Sequence, residues 1–164
     1  MIRASFVFVA IAALAGTACK KKDGDSGSSG KATEGKSGAQ KLAKMGLQLD
    51  VAGDVDITDG MSEGGQMLTG SEIGAMEVFP AKTPQTVDEA KSDADMYSPK
   101  NLKTEKLADG WVISFDNTGS AGQNFFVTVR RDIGGKTYTC QTTTNEAGRQ
   151  AAVIAACKSL RKGS

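Results

Sequence analysis

The composition of the chain changes at Lys41, and this break most constrains what the chain can fold into. Residues 23–40 are mostly Gly, Ser, Lys and other small or polar residues, with no large apolar side chain. Such a segment cannot bury enough apolar surface to fold, and it behaves as a flexible linker. Beyond the first eight residues, every aromatic residue lies between 79 and 138. We therefore predict one folded domain over 41–164, preceded by a linker over 19–40.

The first residues have the pattern of an export signal. A single positive charge, Arg3, precedes an apolar run over 4–15, and small residues follow at Gly16, Thr17 and Ala18. This order is typical of a secretory signal peptide, and the run is shorter than the roughly 20 residues that a membrane-spanning helix needs. We assign residues 1–18 to the signal peptide.

The residues before Cys19 also suggest how the chain is held after export. The segment Leu14-Ala15-Gly16-Thr17-Ala18-Cys19 resembles the lipobox of bacterial lipoproteins, although Gly16 occupies the position where Leu is usual. The resemblance implies cleavage before Cys19 and its modification with fatty-acyl chains such as palmitate. It also implies attachment to a lipid bilayer, and Lys20 after the cysteine implies the outer membrane, with the domain in the periplasm or at the cell surface. Ordinary signal-peptidase cleavage after Ala18 is the alternative.

A nucleotide-binding pattern occurs inside the linker. Residues 30–37 match G-x-x-x-x-G-K-[ST], the P-loop pattern. A P-loop requires a buried strand before the glycines and a helix after them, so that backbone N–H groups surround the phosphates. Because the polar residues 23–29 cannot form such a strand, we interpret the match as a coincidence of composition.

Two properties of the whole sequence exclude large functional classes. There is no histidine, which excludes Ser-His-Asp and Cys-His catalysis and His-based zinc sites. Without the first 18 residues, 19 basic residues face 19 acidic ones. Domains that bind nucleic-acid phosphates are usually strongly basic, so we predict no nucleic-acid partner.

Apolar alternation and turn residues predict the order of elements. Short strands are expected at 47–51, around 55–57, at 66–69 and at 73–79, with Pro80 ending the last. A helix follows the capping-box pattern Thr86–Glu89, with Val87, Ala90, Ala94 and Tyr97 on one face. A second helix is expected after the similar pattern Thr143–Glu146, and its apolar stripe consists of Val153, Ile154, Cys157 and Leu160.

Between the helices we expect a four-strand meander. Asp109-Gly110 predicts a two-residue turn that pairs 102–108 with 111–117 and places Lys103 opposite Asp116. A loop over 117–123 leads to the strand 124–131, and Gly134-Gly135 turns the chain into the strand 136–143. Helices on one face of a largely antiparallel sheet make an α+β sandwich. The element order resembles that of the PsbP-like fold, which implies a non-catalytic domain that binds other proteins.

The turn at Gly134-Gly135 also predicts a disulfide. It places Val129 opposite Cys140, so Cys140 shares the apolar face of the sheet. Cys157 lies on the apolar stripe of the helix that covers this face. Because exported proteins meet an oxidising compartment, we predict a Cys140–Cys157 disulfide. Two buried free thiols and a redox-active pair are the alternatives, although the spacing is not C-x-x-C.

No pattern in the sequence predicts catalysis, a metal site or a cofactor. The acidic residues Asp50, Asp54, Asp56, Asp59 and Glu63 do not match the EF-hand calcium loop, and we interpret them as solvated turns. Arg130 and Arg131 point to opposite faces of the sheet, and Arg130 is either a solvated edge residue or a contact for an anionic partner. We predict a non-enzymatic envelope lipoprotein that binds a protein or an envelope polymer. An enzyme with Asp/Glu or Lys chemistry and a small-ligand carrier are the alternatives.

Overall fold

The computed structural model describes residues 38–120 and 122–164. The predicted signal peptide, Cys19, the P-loop-like segment 30–37 and most of the predicted linker lie outside these residues. The first strand begins at Gly38, so the folded domain starts three residues before the predicted boundary at Lys41.

The described residues form an α+β domain of ten strands and two helices. The strands are β1 Gly38–Leu42, β2 Leu47–Val51, β3 Val55–Asp59, β4 Gln66–Gly70, β5 Gly74–Pro80, β6 Lys100–Leu107, β7 Gly110–Gly119, β8 Gly122–Ile133, β9 Lys136–Thr144 and β10 Arg161–Lys162. The helices are α1 Val87–Ala94, followed by a 3-10 turn at Asp95–Tyr97, and α2 Ala147–Lys158. Neither helix has the length and apolarity that crossing a bilayer requires.

The strands form two sheets in which every pairing is antiparallel. The large sheet has seven strands in the order β3-β4-β5-β9-β8-β7-β6, and the small one has three in the order β1-β2-β10. The predicted meander β6–β9 is confirmed. The strands β2 and β3, although close in sequence, belong to different sheets because the chain crosses between them at residues 52–54.

The two helices pack on opposite faces of the large sheet, which corrects the prediction that they share one face. Trp111, Ile113 and Phe115 of β7 pack with Ala90 and Ala94 of α1. The intervening Val112 belongs to the main core, with α2, the small sheet and the apolar positions of β5, β8 and β9. Alternate side chains of a strand point to opposite faces, so α1 and α2 cover different sides.

The hairpin turns are only partly as predicted. Gly134 and Gly135 form the two-residue turn between β8 and β9 with φ of 61° and 78°, and Val129 lies opposite Cys140 as predicted. The turn between β6 and β7 is at Ala108 and Asp109 rather than at Asp109-Gly110, because Leu107 pairs with Gly110. The strands β7 and β8 continue to a pair between Gly119 and Gly122, so the predicted loop over 117–123 is wrong.

Only one of the two predicted capping boxes forms. At α1, the Thr86 hydroxyl accepts a hydrogen bond from the Glu89 N–H, and the Glu89 carboxylate accepts one from the Thr86 N–H. At α2, Thr143 and Thr144 belong to β9, and Glu146 is the N-cap without a side-chain cap hydrogen bond. The capping box predicted at Thr143 is therefore wrong, because strand pairing with β8 extends to Thr144.

Candidate functional site

A groove of about 580 Å³ lies on the face of the large sheet that carries α1. Its floor consists of strands β5, β8 and β9, one wall is α1, and the opposite rim is the loop between β3 and β4. This volume is within the range of about 300–1,000 Å³ found for small-molecule sites. We therefore treat the groove as the candidate binding site.

The register of the strands arranges the floor of the groove in rows across the sheet. One row runs Phe79, Thr139, Arg130 and Trp111, each directly opposite the next. The adjacent row runs Glu77, Gln141, Thr128 and Ile113. Along β9, Thr139, Gln141 and Thr143 lie on the groove side of the strand and alternate with Tyr138, Cys140 and Thr142. The middle of the floor is consequently polar. Phe79 and Trp111 end the first row, whereas the second row ends in the Glu77 carboxylate at β5 and in Ile113 at β7.

The helical wall is fixed by small residues and aromatic contacts. Ala90 and Ala94 are buried, and their short side chains let α1 approach β7 closely. The 3-10 turn after α1 places the Tyr97 ring 5.5 Å from Phe126 and 6.2 Å from Phe115, centroid to centroid. Because Tyr97 keeps 51% of its surface exposed, it presents an aromatic surface at the rim of the groove.

The opposite rim is a loop held by a buried carboxylate. Glu77 is 4% exposed, and its carboxylate accepts hydrogen bonds from the Ser62 N–H at 2.6 Å and the Ser62 hydroxyl at 3.1 Å. A Cβ atom at Gly60 would lie 2.5 Å from Glu77 Oε1, so the loop passes close to the carboxylate. The same loop carries Met61, which is 88% exposed beside the groove.

Arg130 lies in the floor with an unusual set of partners. Its Nη1 donates to the Thr83 carbonyl at 2.7 Å and its Nη2 to Gln85 Oε1 at 3.3 Å, while its guanidinium lies 6.0 Å from the centre of the Trp111 ring. Burial lowers the pKa of the Arg130 guanidinium from its usual value. Its Nε and the neighbouring Thr139 Oγ1 are buried polar atoms without a hydrogen-bond partner.

Arg131, on the opposite face, has a structural role. It forms a two-pronged hydrogen-bonded ion pair with Asp109, at 2.9 and 2.8 Å, and its Nη1 donates to the Cys157 and Lys158 carbonyls. These carbonyls end α2, where a positive charge is favourable. The two arginines therefore do point to opposite faces, as predicted, but Arg130 is half-buried in a groove rather than a solvated edge residue.

The structure joins Cys140 and Cys157 by a disulfide, as the sequence analysis predicts. Both cysteines are fully buried, between β9 and α2. The third cysteine of the sequence, Cys19, lies outside the described residues.

The acidic residues singled out in the sequence do not converge on one site. Asp50 pairs with Arg161, Asp59 with Lys44, and Glu63 with Lys82. In the part of the chain that the structure describes, no three His, Cys, Asp or Glu side chains are grouped to hold a metal ion.

The predicted pair between Lys103 and Asp116 does not form. Lys103 lies opposite Ser114, because the turn is shifted by one residue. Asp116 is only 6% exposed, and hydrogen bonds from Asn101 and Gln123 lower the pKa of its carboxyl group. Asp116 lies on the face of β7 that also carries Val112, so it takes no part in the groove.

Most of the groove residues carry no distinctive pattern in the sequence. The polar positions of β9 resemble any solvated strand face, and nothing in the sequence places α1 and the loop at Met61 on either side of them. No protein-family model matches the chain, and a search of curated proteins finds no significant match.

Proposed function

We propose that this chain is a lipid-anchored bacterial envelope lipoprotein whose folded domain is a non-enzymatic binding module, with the groove between α1 and the β3–β4 loop as its binding site. The groove itself is the observation that carries the proposal. It combines apolar and aromatic side chains with a smaller number of polar groups in the floor, and ligand sites on proteins have this composition.

The cysteines support the proposed compartment. A buried disulfide between Cys140 and Cys157 persists in an oxidising environment such as the periplasm and is rare in a reducing cytosol. The remaining cysteine is the one at which the lipobox-like segment ends. Export, oxidation of the domain and acylation of Cys19 are therefore mutually consistent.

The carboxylates at the groove support binding rather than acid–base chemistry. Glu77 is engaged with Ser62, and Asp93 of α1 accepts a hydrogen bond from the Gln85 side chain at 2.7 Å. Both groups are thus committed to holding the walls of the groove. A small-ligand carrier is the second candidate, because the volume of the groove also suits a ligand of that size.

The anchor is tested by the mass of the N-terminal peptide of the protein isolated from bacterial membranes. We expect a peptide that begins at Cys19 and carries fatty-acyl chains. The Cys19→Ala variant should lose the acyl chains and leave the membrane fraction, while keeping the Cys140–Cys157 disulfide as a control for correct folding. An unmodified Cys19 in the membrane-isolated protein would show that the chain is not a lipoprotein.

The binding role of the groove is tested by crosslinking in living cells. A photoreactive amino acid at Gln141, in the floor, should give a discrete adduct when cells are irradiated. The matched control is the same substitution at Lys136, an exposed residue beside the Gly134-Gly135 turn of the same strand. Equal labelling from the two positions, or none from Gln141, would contradict a binding site in the groove.

A further inference from the structure

Arg130 is a partly buried cation in the proposed binding groove, and it forms no ion pair, although the charge of Asp132 on the same strand is close enough to act on it. The ion pairs of the described residues join other cations to carboxylates, and none of them includes Arg130. Arginine is rarely buried unless it is paired, because the charge loses hydration. The partners of Arg130 are a carbonyl and an amide oxygen, both uncharged.

The free donor of Arg130 lies beside a second unsatisfied polar group. Arg130 and Thr139 are directly opposite each other on β8 and β9, and both line the groove. Thr139 is only 3% exposed, and its Oγ1 makes no hydrogen bond, while Arg130 Nε also lacks a partner. Buried polar groups are nearly always hydrogen-bonded, so two adjacent exceptions in one groove indicate a missing partner.

The chemistry of the two groups defines that partner. Nε–H can only donate, and a threonine hydroxyl can donate as well, so the partner has to present acceptor oxygens. The Nε and Nη2 edge of a guanidinium matches the two oxygens of a carboxylate. Resting on the proposed binding role of the groove, we propose that Arg130 and Thr139 bind the C-terminal carboxylate of a peptide that ends in an apolar residue.

The surroundings of the pair favour a peptide end with an apolar side chain. Phe79 lies directly opposite Thr139 on β5, and Met61 and Met67 line the same side of the groove. An apolar side chain next to the carboxylate would cover these groups from water. The peptide chain would then run over Gln141 and Thr128, which supply hydrogen-bonding groups for its backbone.

Binding requires a small movement of the arginine. Solvent does not reach Nε or Thr139 Oγ1 in this structure. The contact that has to open is the one between Nη2 and Gln85, which at 3.3 Å is longer than the usual 2.9–3.0 Å. The shorter bond from Nη1 to Thr83 keeps the guanidinium beside the groove.

The fluorescence of Trp111 can report binding at this site. Trp111 is the single tryptophan of the sequence, and it follows Arg130 in the same row of the floor. The test is a fluorescence titration of the purified full chain in detergent with the peptide acetyl-Gly-Gly-Leu, carrying either a free carboxylate or a C-terminal amide. We expect saturable binding of the carboxylate form and at least about tenfold weaker binding of the amide.

Variants separate recognition of the carboxylate from general damage to the domain. Arg130→Lys keeps the positive charge but loses the planar guanidinium, which can donate two parallel hydrogen bonds to a carboxylate. This variant should weaken binding about tenfold. Thr139→Val removes the hydroxyl at nearly constant volume and should weaken binding about fivefold, whereas Thr139→Ser should restore it. The matched control is Thr104→Val, at an exposed threonine of β6 outside the groove, which should bind as the unchanged protein does. Thermal unfolding of each variant identifies any that fail to fold.

The proposal is overturned if the amide binds as tightly as the carboxylate, or if Arg130→Lys and Thr139→Val both bind normally. It is also overturned if glucuronate binds in the same assay and the peptide does not, because the carboxylate would then belong to an acidic sugar. Crosslinks from Gln141 without binding of the peptide would overturn the carboxylate assignment and leave the binding role of the groove intact. The absence of both would overturn the two proposals together.

Discussion

At the scale of single residues, the close approach of β7 and β8 depends on a glycine. Gly110 pairs with Leu107 on one side and Arg131 on the other, at the start of β7. A Cβ atom at this position would lie 1.9 Å from the Arg130 carbonyl oxygen, which is far inside the van der Waals limit. Any side chain therefore has to push the two strands apart.

We expect Gly110→Ala to destabilise the domain by about 2–4 kcal/mol, because the clash is with the backbone and cannot be relieved by a side-chain rotation. Gly148→Ala is the matched control, since that glycine lies in α2 with open space around its Cβ position. The control should raise stability by about 0.5 kcal/mol through helix propensity. Urea unfolding of both variants checks the prediction, and equal effects would contradict it.

The pair of Asp109 and Arg131 gives a prediction about pH. Hydrogen bonds from Arg131 hold the pKa of the Asp109 carboxyl group below its usual value. A lowered folded-state pKa means that the charged form stabilises the fold above the unfolded value of 3.8, and that this stabilisation is lost as the pH falls through the lower folded-state pKa. Asp109→Asn should therefore unfold at a lower temperature than the unchanged protein at pH 7.

The difference between the two proteins should shrink as the pH is lowered below about 4, where the carboxyl group gains its proton. Thermal unfolding of both proteins between neutral and acidic pH measures this difference. If the difference in unfolding temperature stayed constant over the whole pH range, the effect of Asp109→Asn would not come from the charge of Asp109.

Single residues also differ in how well the sequence predicted them. The inward orientation of Cys140 followed from the Gly134-Gly135 turn, because a two-residue turn fixes the pairing of its flanking strands. The environment of Arg130 did not follow from any local pattern. It depends on contacts with residues 83 and 85, which are more than 40 positions away in the sequence and precede α1, the helix that packs on β7.

At the scale of elements, the start of α1 is determined by its own sequence, whereas the start of α2 is determined by the pairing of β9 with β8. Both helices follow a Thr-x-x-Glu pattern, but only Thr86 and Glu89 exchange hydrogen bonds. Residues 143 and 144 pair with Phe126 and Phe125 of β8, which keeps them extended. Tertiary pairing here overrides a local capping preference.

This contrast gives a prediction for two similar substitutions. Thr86→Ala should destabilise the domain by about 1 kcal/mol, because it removes the acceptor for the Glu89 N–H. Thr143→Ala should change stability by less than about 0.5 kcal/mol, because Thr143 is an exposed residue of β9 that caps no helix. Chemical unfolding of the two variants distinguishes the roles. Equal losses would mean that Thr143 contributes as a cap in solution.

The shifted turn between β6 and β7 has a related explanation. An Asp-Gly pair favours the two central positions of a hairpin turn. Here Gly110 belongs to β7 and Asp109 is held by Arg131, so the ladder with β8 determines the register. Pairing with β8 outweighs the turn preference of the β6–β7 hairpin. A prediction from the sequence of the hairpin alone therefore places the turn one residue too late.

At the scale of the whole molecule, the class of fold followed from the sequence but the placement of α1 did not. The strand order of the meander and the general α+β class were predicted from alternation and turns. One indication of the two-sided sheet was present in the consecutive apolar residues Trp111, Val112 and Ile113. Such runs are typical of strands that are buried on both faces, and they required a helix on each side. The groove arises because α1 packs against β7, whereas the floor of the groove lies on β5, β8 and β9.

Both cysteines of the disulfide lie in the main core, so breaking the bond should lower the stability of the whole domain. The disulfide joins β9 to α2 across 17 residues of sequence, and the bond restricts the unfolded chain. For a loop of this length we expect a contribution of about 3 kcal/mol, equivalent to roughly 10 °C in the unfolding temperature. Reduction of the unchanged protein and the double variant Cys140→Ala with Cys157→Ala should both show this loss.

The double variant should be somewhat less stable than the reduced protein, because two alanines leave small cavities in a fully buried site. Cys19→Ala should unfold at the same temperature as the unchanged protein and should respond to reductant in the same way. Thermal unfolding followed by circular dichroism, with and without reductant, separates these cases. If reductant left the unfolding temperature unchanged while removing the bond, the disulfide would not stabilise the fold. Since about 3 kcal/mol is a large share of the roughly 5–15 kcal/mol by which small domains are stable, we expect a clear drop in the unfolding temperature on reduction.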